Sequence, residues 1–165
     1  MFYRYQESPI GRLLLVGDEA GLRQLLMDVP TEPWVIGEQW VPAETQLDNV
    51  CRQLDEYFAG RRQRFELRLA PLGTAFQRSV WHALLEIPFG QTWSYGQLAQ
   101  HIGNPQAMRA VGAANGANPI AVIQPCHRVI GSNGSLTGFS GGLERKTLLL
   151  NLEGWQGMRQ AALAL

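Results

Sequence analysis

The sequence predicts a mixed α/β chain, with a small N-terminal sheet and one helix followed by a mostly helical half. Three observations predict it. Short apolar runs broken by Pro and Gly fill the chain up to Met27, apolar positions recur at helical spacing from Glu44 onward, and Ala70-Pro71-Leu72-Gly73 separates two stretches of opposite charge. The 165 residues suffice for one large domain or two small ones, and 45% apolar with 17% charged residues is a globular composition.

The elements follow in order. Phe2 to Glu7 and Leu13 to Val16 read as strands joined by the Pro9-Ile10-Gly11 turn, with Leu22 to Met27 as a third strand. Residues 29–43, carrying Pro30, Pro33, Gly37 and Pro42, read as loop. Glu44 to Phe58 carries Leu47, Val50, Cys51, Leu54, Tyr57 and Phe58 at helical spacing, and Gly60 stops it. Cys51 lies on that apolar stripe and reads as a core thiol. After the linker, Thr74 caps a helix bearing Phe76, Val80, Trp81, Leu84 and Leu85 on one face, which ends at Ile87-Pro88-Phe89-Gly90. Helices from Ser94 to Ile102 and from about Gln106 to Asn115 follow, the second broken by Gly116-Ala117-Asn118-Pro119. Ile120 to Ile123 reads as a short strand leading into Gln124-Pro125-Cys126-His127-Arg128, and a glycine-rich stretch precedes a last helix from Leu143 to about Leu152. The expected domains are 1–73 and 74–165.

The opening residues lack the apolar core of a signal peptide, and no apolar run is long enough for a bilayer; the expected location is the cytoplasm, with no membrane partner. In a reducing compartment Cys51 and Cys126 stay free thiols. Apart from the Cys126-His127 dipeptide there is no closely spaced Cys/His set, so no metal is expected. Formal charge is zero overall but unevenly distributed: residues 1–73 hold eight Arg and eleven Asp or Glu, while residues 74–165 hold six Arg or Lys and three Glu. The second half is the one suited to face phosphates.

Ser94 to Gly103, four further residues, and Met108 to Asn115 have helix-turn-helix spacing, with Leu98, Ala99 and Val111 inward and Gly103 at the turn. In the second helix Ala110, Gly112, Ala113, Ala114 and Gly116 are small, and only Arg109 and Asn115 are long enough to reach bases. A major-groove reader needs several reaching side chains. Small residues favour close backbone approach and sequence-blind binding.

Cys126 needs a lowered pKa or a base to act as a nucleophile, and His127 is adjacent. In an extended segment neighbouring side chains point to opposite faces, so His127 reaches the sulfur only through a turn or a bridging water. The residues available to orient its other nitrogen in this half are Glu86, Glu144 and Glu153. Asn118-Pro119 offers an amide where the backbone turns, and Gly131 to Gly142 offers backbone for a pocket wall.

Asn118-Pro119, Pro125-Cys126-His127-Arg128-Val129-Ile130, Gly138-Phe139-Ser140-Gly141-Gly142 and Leu152-Glu153-Gly154, together with Ser94-Tyr95-Gly96-Gln97 and Arg109-Ala110-Val111-Gly112, closely resemble the 6-O-alkylguanine-DNA alkyltransferases. The resemblance covers residues 74–155 and, more loosely, the first half through Ser8-Pro9-Ile10-Gly11 and Tyr57-Phe58-Ala59-Gly60. It implies a ribonuclease H-like first domain and a winged helix-turn-helix-like second one. It implies direct-reversal repair of double-stranded DNA carrying alkylated guanine, with 4-O-alkylthymine a second candidate substrate, by a single-turnover transfer without cofactor. Cys126 would accept the alkyl group, His127 would take its proton through a water, Glu153 would orient the imidazole, and Asn118 would hold the turn. Tyr95 would assist the departing guanine. Ser94, Arg109, Ala110, Gly112, Ala113, Asn115 and Gly116 would meet DNA in the minor groove, Arg109 entering the duplex as the nucleotide flips out. Val129, Phe139 and Ser140, with Tyr95, would line the base pocket. The protein would act as a monomer, cooperative binding along DNA being left open.

Two positions depart from the family pattern: Gln124, where many relatives are apolar, and Phe139, where tyrosine is common. The extra domains and zinc ligands of some relatives are missing. Other readings are a non-catalytic recognition protein for alkylated DNA, against which Cys126 counts, a helix-turn-helix regulator, against which the small-residue helix counts, and a cysteine hydrolase, which predicts multiple turnovers.

Overall fold

The computed structural model describes residues 1–155 and 157; the end of the expected second domain, residues 156 and 158–165, lies outside the described residues. The described chain divides into two compact units, one of residues 1–73 and 119–123, the other of residues 74–118 and 124 onward.

In the first unit, strands β1 (Phe2–Gln6), β2 (Leu13–Asp18) and β3 (Gly21–Met27) form an antiparallel meander, and β4 (Val41–Pro42) adds a parallel edge in the order β3-β2-β1-β4. β2 is central, and Leu13 to Val16 are all buried, as in a strand covered on both faces. Helix α1 (Asp48–Phe58) lies on the face that carries Arg4 and Gln6. Arg4 pairs with Asp48 at 2.6 Å, and Gln6 donates to the Cys51 carbonyl at 3.1 Å and to Asp55 at 2.8 Å. On the opposite face Tyr5 stacks on Trp34, whose indole N–H donates to the Met27 carbonyl.

Two expectations are corrected here. α1 begins at Asp48, not Glu44, because the Gln46 side chain accepts from the N–H groups of Glu44 and Thr45 and holds them in a turn. Ile120 to Ile123 is not a strand: Leu25 bridges only to Ile120, and Val122 then turns at φ +71°. Its apolar character reflects burial on all sides, which periodicity cannot distinguish from a buried strand. β4, the partner of β1, lies within the expected loop of residues 29–43.

The second unit is built from α2 (Ala75–Leu84), β5 (Trp93–Ser94), α3 (Tyr95–His101), α4 (Met108–Gly116), β6 (Val129–Ile130) and α5 (Leu143–Leu152). Thr74 with Gln77, and Ser94 with Gln97, form capping boxes that start α2 and α3. α4 begins at Met108 rather than Gln106, since Asn104 to Ala107 is a hydrogen-bonded turn. Gly103 sits at φ +79° in the bend between α3 and α4, a conformation that favours glycine. Leu98, Ala99 and Val111 face inward as their spacing requires, against Val80, Trp81, Leu84 and Ile87. The Trp81 indole donates to the Ala114 carbonyl at 2.8 Å, so this large buried ring leaves no polar atom unpaired.

Candidate active site and nucleic-acid interface

Cys126, His127 and Arg128 form one turn of 3₁₀-helix, not an extended segment. Pro125 cannot donate a backbone hydrogen bond and fixes the approach, the Cys126 N–H donates to the Gln124 carbonyl, and the Arg128 N–H donates to the Pro125 carbonyl. The turn runs directly into β6, which pairs in parallel with β5: Trp93 lies beside Val129 and Ser94 beside Ile130. This short ladder fixes the start of α3, and hence Tyr95, relative to the cysteine turn.

His127 is wholly buried, and its Nε2 lies 2.8 Å from Glu153 Oε2. Arg128 grips the same carboxylate with two nitrogens, Nε at 2.7 Å and Nη2 at 3.0 Å, and donates its Nη1 to the Ile87 carbonyl. Burial would push the Glu153 carboxyl up, but hydrogen bonds and charge from His127 and Arg128 outweigh it and hold the group at about 2. Burial pulls the His127 pKa down despite Glu153, so the ring is neutral at pH 7. A carboxylate only accepts, so Nε2 must carry the proton of that neutral ring. The lone pair is then on Nδ1, which is buried without a protein hydrogen-bond partner. The arrangement presents a neutral imidazole as a base.

Around the thiol, burial is the largest influence and pushes its pKa up. Opposing it are a hydrogen bond from the Asn118 side chain, the charge of Lys146, and the N–H groups of Cys126 and His127. Asn118 Nδ2 also donates to the Gln124 carbonyl at 2.8 Å, so the amide clamps the turn from the side. Sequence reasoning missed Lys146. It is fully buried, donates to the carbonyls of Val129 at 2.6 Å and Thr137 at 2.8 Å, and is lowered by desolvation to about 8, against the pull of Cys126. Its helical spacing from Leu149 and Leu150 was the available signal, since it sets a lysine on the buried face of α5.

Tyr95 is half-buried and donates its hydroxyl to the Thr137 carbonyl at 3.3 Å, the same oxygen that Lys146 uses. Its ring lies against Gly112, and its hydroxyl lies by Gly138, where an added Cβ would sit 3.8 and 3.4 Å away respectively. Ser140 donates to the Gly116 carbonyl at 3.0 Å, tying the 137–140 loop to the end of α4. Phe139 packs partly buried against the core that contains Cys126 and Val129, and Val129 is itself fully covered. Arg109, Ala110, Ala113 and Gly116 are exposed and Gly112 half-buried, forming a face of small side chains on α4. Ser94 uses its hydroxyl to accept the Gln97 N–H. Asn115 departs from expectation. It is 2% exposed and turned inward, so it is not a side chain reaching toward bases. Helical spacing places it beside Val111 and Ala114, on the face that packs rather than the one that protrudes.

Among the described residues no cluster of His, Cys, Asp and Glu could hold a metal ion, and no helix is long and apolar enough to cross a membrane.

Comparison with known proteins gives consistent matches. Residues 75–155 match the DNA binding domain of 6-O-methylguanine DNA methyltransferase, and residues 1–71 match its ribonuclease-like domain. A methylated-DNA–protein-cysteine methyltransferase of Methanosarcina acetivorans is 53% identical over 93% of this chain and 99% of its own. A protein of the same name from Mycobacterium tuberculosis is 51% identical over 92% of this chain and 91% of its own. The crystal structure of Mycobacterium tuberculosis OGT in complex with DNA superposes with TM-score 0.86 at 49% identity, covering 93% of this chain and 92% of that one.

Proposed function

Because the chain belongs to the 6-O-methylguanine DNA methyltransferase family, we propose that it reverses DNA alkylation directly, moving the alkyl group from guanine O6 in double-stranded DNA onto Cys126. The Cys126 thiol gives its proton to His127 Nδ1 by way of a water, and the thiolate attacks the alkyl carbon as the carbon–oxygen bond breaks. The bonding pair leaves on guanine O6, and the purine recovers a proton at its ring with the Tyr95 hydroxyl in attendance. Thiol and alkylguanine become thioether and guanine, so atoms and charge balance without a cofactor. A thioether has no leaving chemistry in this site, which makes the transfer a single event per molecule.

The observation that carries the reading is the buried array in which Glu153 accepts from His127 Nε2 and leaves Nδ1 as the base on the residue that follows a free, buried cysteine. The small exposed residues of α4 support approach to the minor groove, with Arg109 the long side chain that fills the gap left by a flipped nucleotide. Asn115 is left out of that contact set. In this reading the first domain is residues 1–73, and the second, residues 74–165, meets DNA as a monomer in the cytoplasm.

The test is intact-mass and peptide analysis after incubation with a duplex containing 6-O-methylguanine. The expected result is a gain of one methyl group on the Cys126 peptide, saturating at one per protein. Binding of the lesion without mass gain would turn the reading to damage recognition alone; neither binding nor gain would defeat both.

A further inference from the structure

Gln124 is a long polar side chain in a place where packing alone would favour a hydrocarbon. It is 2% exposed, at the residue before Pro125, and a buried amide is costly unless it is hydrogen-bonded. Its Nε2 donates to Asn118 Oδ1 at 2.7 Å, while its own main-chain carbonyl accepts from Asn118 Nδ2 at 2.8 Å. One residue therefore reads both ends of the Asn118 amide.

The two ends of an amide have nearly the same shape and opposite polarity. Nδ2 carries two hydrogens, and in the observed orientation one goes to the Gln124 carbonyl and the other serves the Cys126 sulfur. Turned over, the amide would set Oδ1 against the sulfur and against the Gln124 carbonyl, and Nδ2 against Gln124 Nε2. We infer that Gln124 is a positioning residue for alkyl transfer, acting through Asn118 to keep the amide N–H, and not its oxygen, toward the Cys126 sulfur.

The consequence is a specific one. A thiolate is favoured by donors and disfavoured by acceptors at its edge. Gln124 thus contributes to the thiolate fraction at neutral pH although it does not touch the sulfur. The inference rests on the reading of Cys126 as the acceptor, so its test uses a second reaction that needs no DNA.

The test compares the pH profile of Cys126 alkylation by iodoacetamide with methyl transfer from duplex. Gln124→Met keeps length and apolar volume but removes the donor. It is expected to move the Cys126 midpoint up by about one pH unit and slow transfer at pH 7 roughly tenfold, with lesion binding unchanged. Gln124→Glu, which sets an acceptor against Oδ1, is expected to move the midpoint further and serves as the second variant if the methionine protein does not fold. In an Asn118→Ala background Gln124→Met is expected to add nothing, because the path runs through Asn118. A folded Gln124→Met or Gln124→Glu protein with the wild-type midpoint overturns the inference, as does a full additional shift in the Asn118→Ala background. A wild-type protein that is inert to the lesion would overturn the transfer reading instead, whatever the iodoacetamide profiles do.

Discussion

Cys51 and Cys126 are equally hidden, each 6% exposed, and burial is the largest influence on both, pushing each thiol up. What surrounds them differs. Around Cys51 the carboxylates of Asp55 and Asp48 add to the rise, and Arg4, itself paired with Asp48, opposes it from the mouth of an open cleft. Around Cys126 all the opposing influences come from groups set in the fold: an amide, a buried ammonium and two backbone N–H groups. Cys51 stands on a regular helix, where its own N–H, bonded to the Leu47 carbonyl, joins Arg4 in opposing the rise. Cys126 stands on a tight turn preceded by proline. The difference teaches that burial alone gives an inert sulfur, and that reactivity needs donors fixed in place around it.

The sharpest test removes each sulfur in turn. Cys126→Ala is expected to abolish methyl transfer while retaining affinity for lesion-bearing duplex, read by peptide mass and by a binding titration. The next largest effect should come from Glu153→Gln. It weakens the acceptor that sets the His127 tautomer, so transfer should fall by about 10²-fold, the lower end of what a general base supplies. It also leaves Arg128 buried without its counter-charge, at a cost of about 3–5 kcal/mol. The pH dependence has a definite sign. A carboxyl held at about 2, below its ordinary 4.5, contributes stability that is complete above pH 5 and lost as pH falls toward 2. Denaturant titrations should therefore give wild-type and Glu153→Gln stabilities that converge on acidification. A gap that stays constant from pH 7 to 3 would rule out the ionised pair as its origin.

Lys146→Met should have a smaller effect with an opposite pH signature. With its ammonium lowered to about 8, Lys146 supports the thiolate below that pH and loses its charge above it. The variant should react roughly tenfold more slowly at pH 7, and its profile should approach that of the wild type above pH 9. Stability follows the same linkage. Between pH 8 and the ordinary 10.5 the unfolded chain binds more protons than the folded one, so wild-type stability should rise by roughly 3 kcal/mol across that window relative to Lys146→Met. Parallel reaction profiles from pH 6 to 10 would remove Lys146 from the argument.

Much of this contrast could be read from the residues, and the rest could not for physical reasons. Leu47, Val50, Leu54 and Tyr57 announced α1 and gave Cys51 a core setting, because helical periodicity is a property of composition along the chain. The strand pairs β4–β1 and β5–β6 escaped notice because two residues carry no period; they are backbone ladders between distant segments. At the site, the types Cys126, His127 and Asn118 were legible, but the turn that joins them was not, since an apolar run followed by proline suggests extension. Glu153 entered only through resemblance, as nothing local links it to a histidine 26 residues earlier. Lys146 and Asn115 were misjudged in opposite directions for one reason. Each is a polar residue on the inward face of its helix, and there helical phase outranks polarity.

The smallest expected effect falls on Cys51→Ser. The change replaces a sulfur on the apolar stripe of α1 with a hydroxyl, which one turn earlier finds the Leu47 carbonyl as a local acceptor. The loss should be about 1 kcal/mol, a fall of some 2–4 °C in Tm for a chain of this size. Transfer to Cys126 should stay within about twofold of wild type, because no group that opposes burial at Cys126 is shared with Cys51. A folded Cys51→Ser protein that no longer accepts the methyl group would reverse the roles assigned to the two thiols. Unchanged transfer with the expected loss of stability would leave Cys51 a packing residue and Cys126 the acceptor.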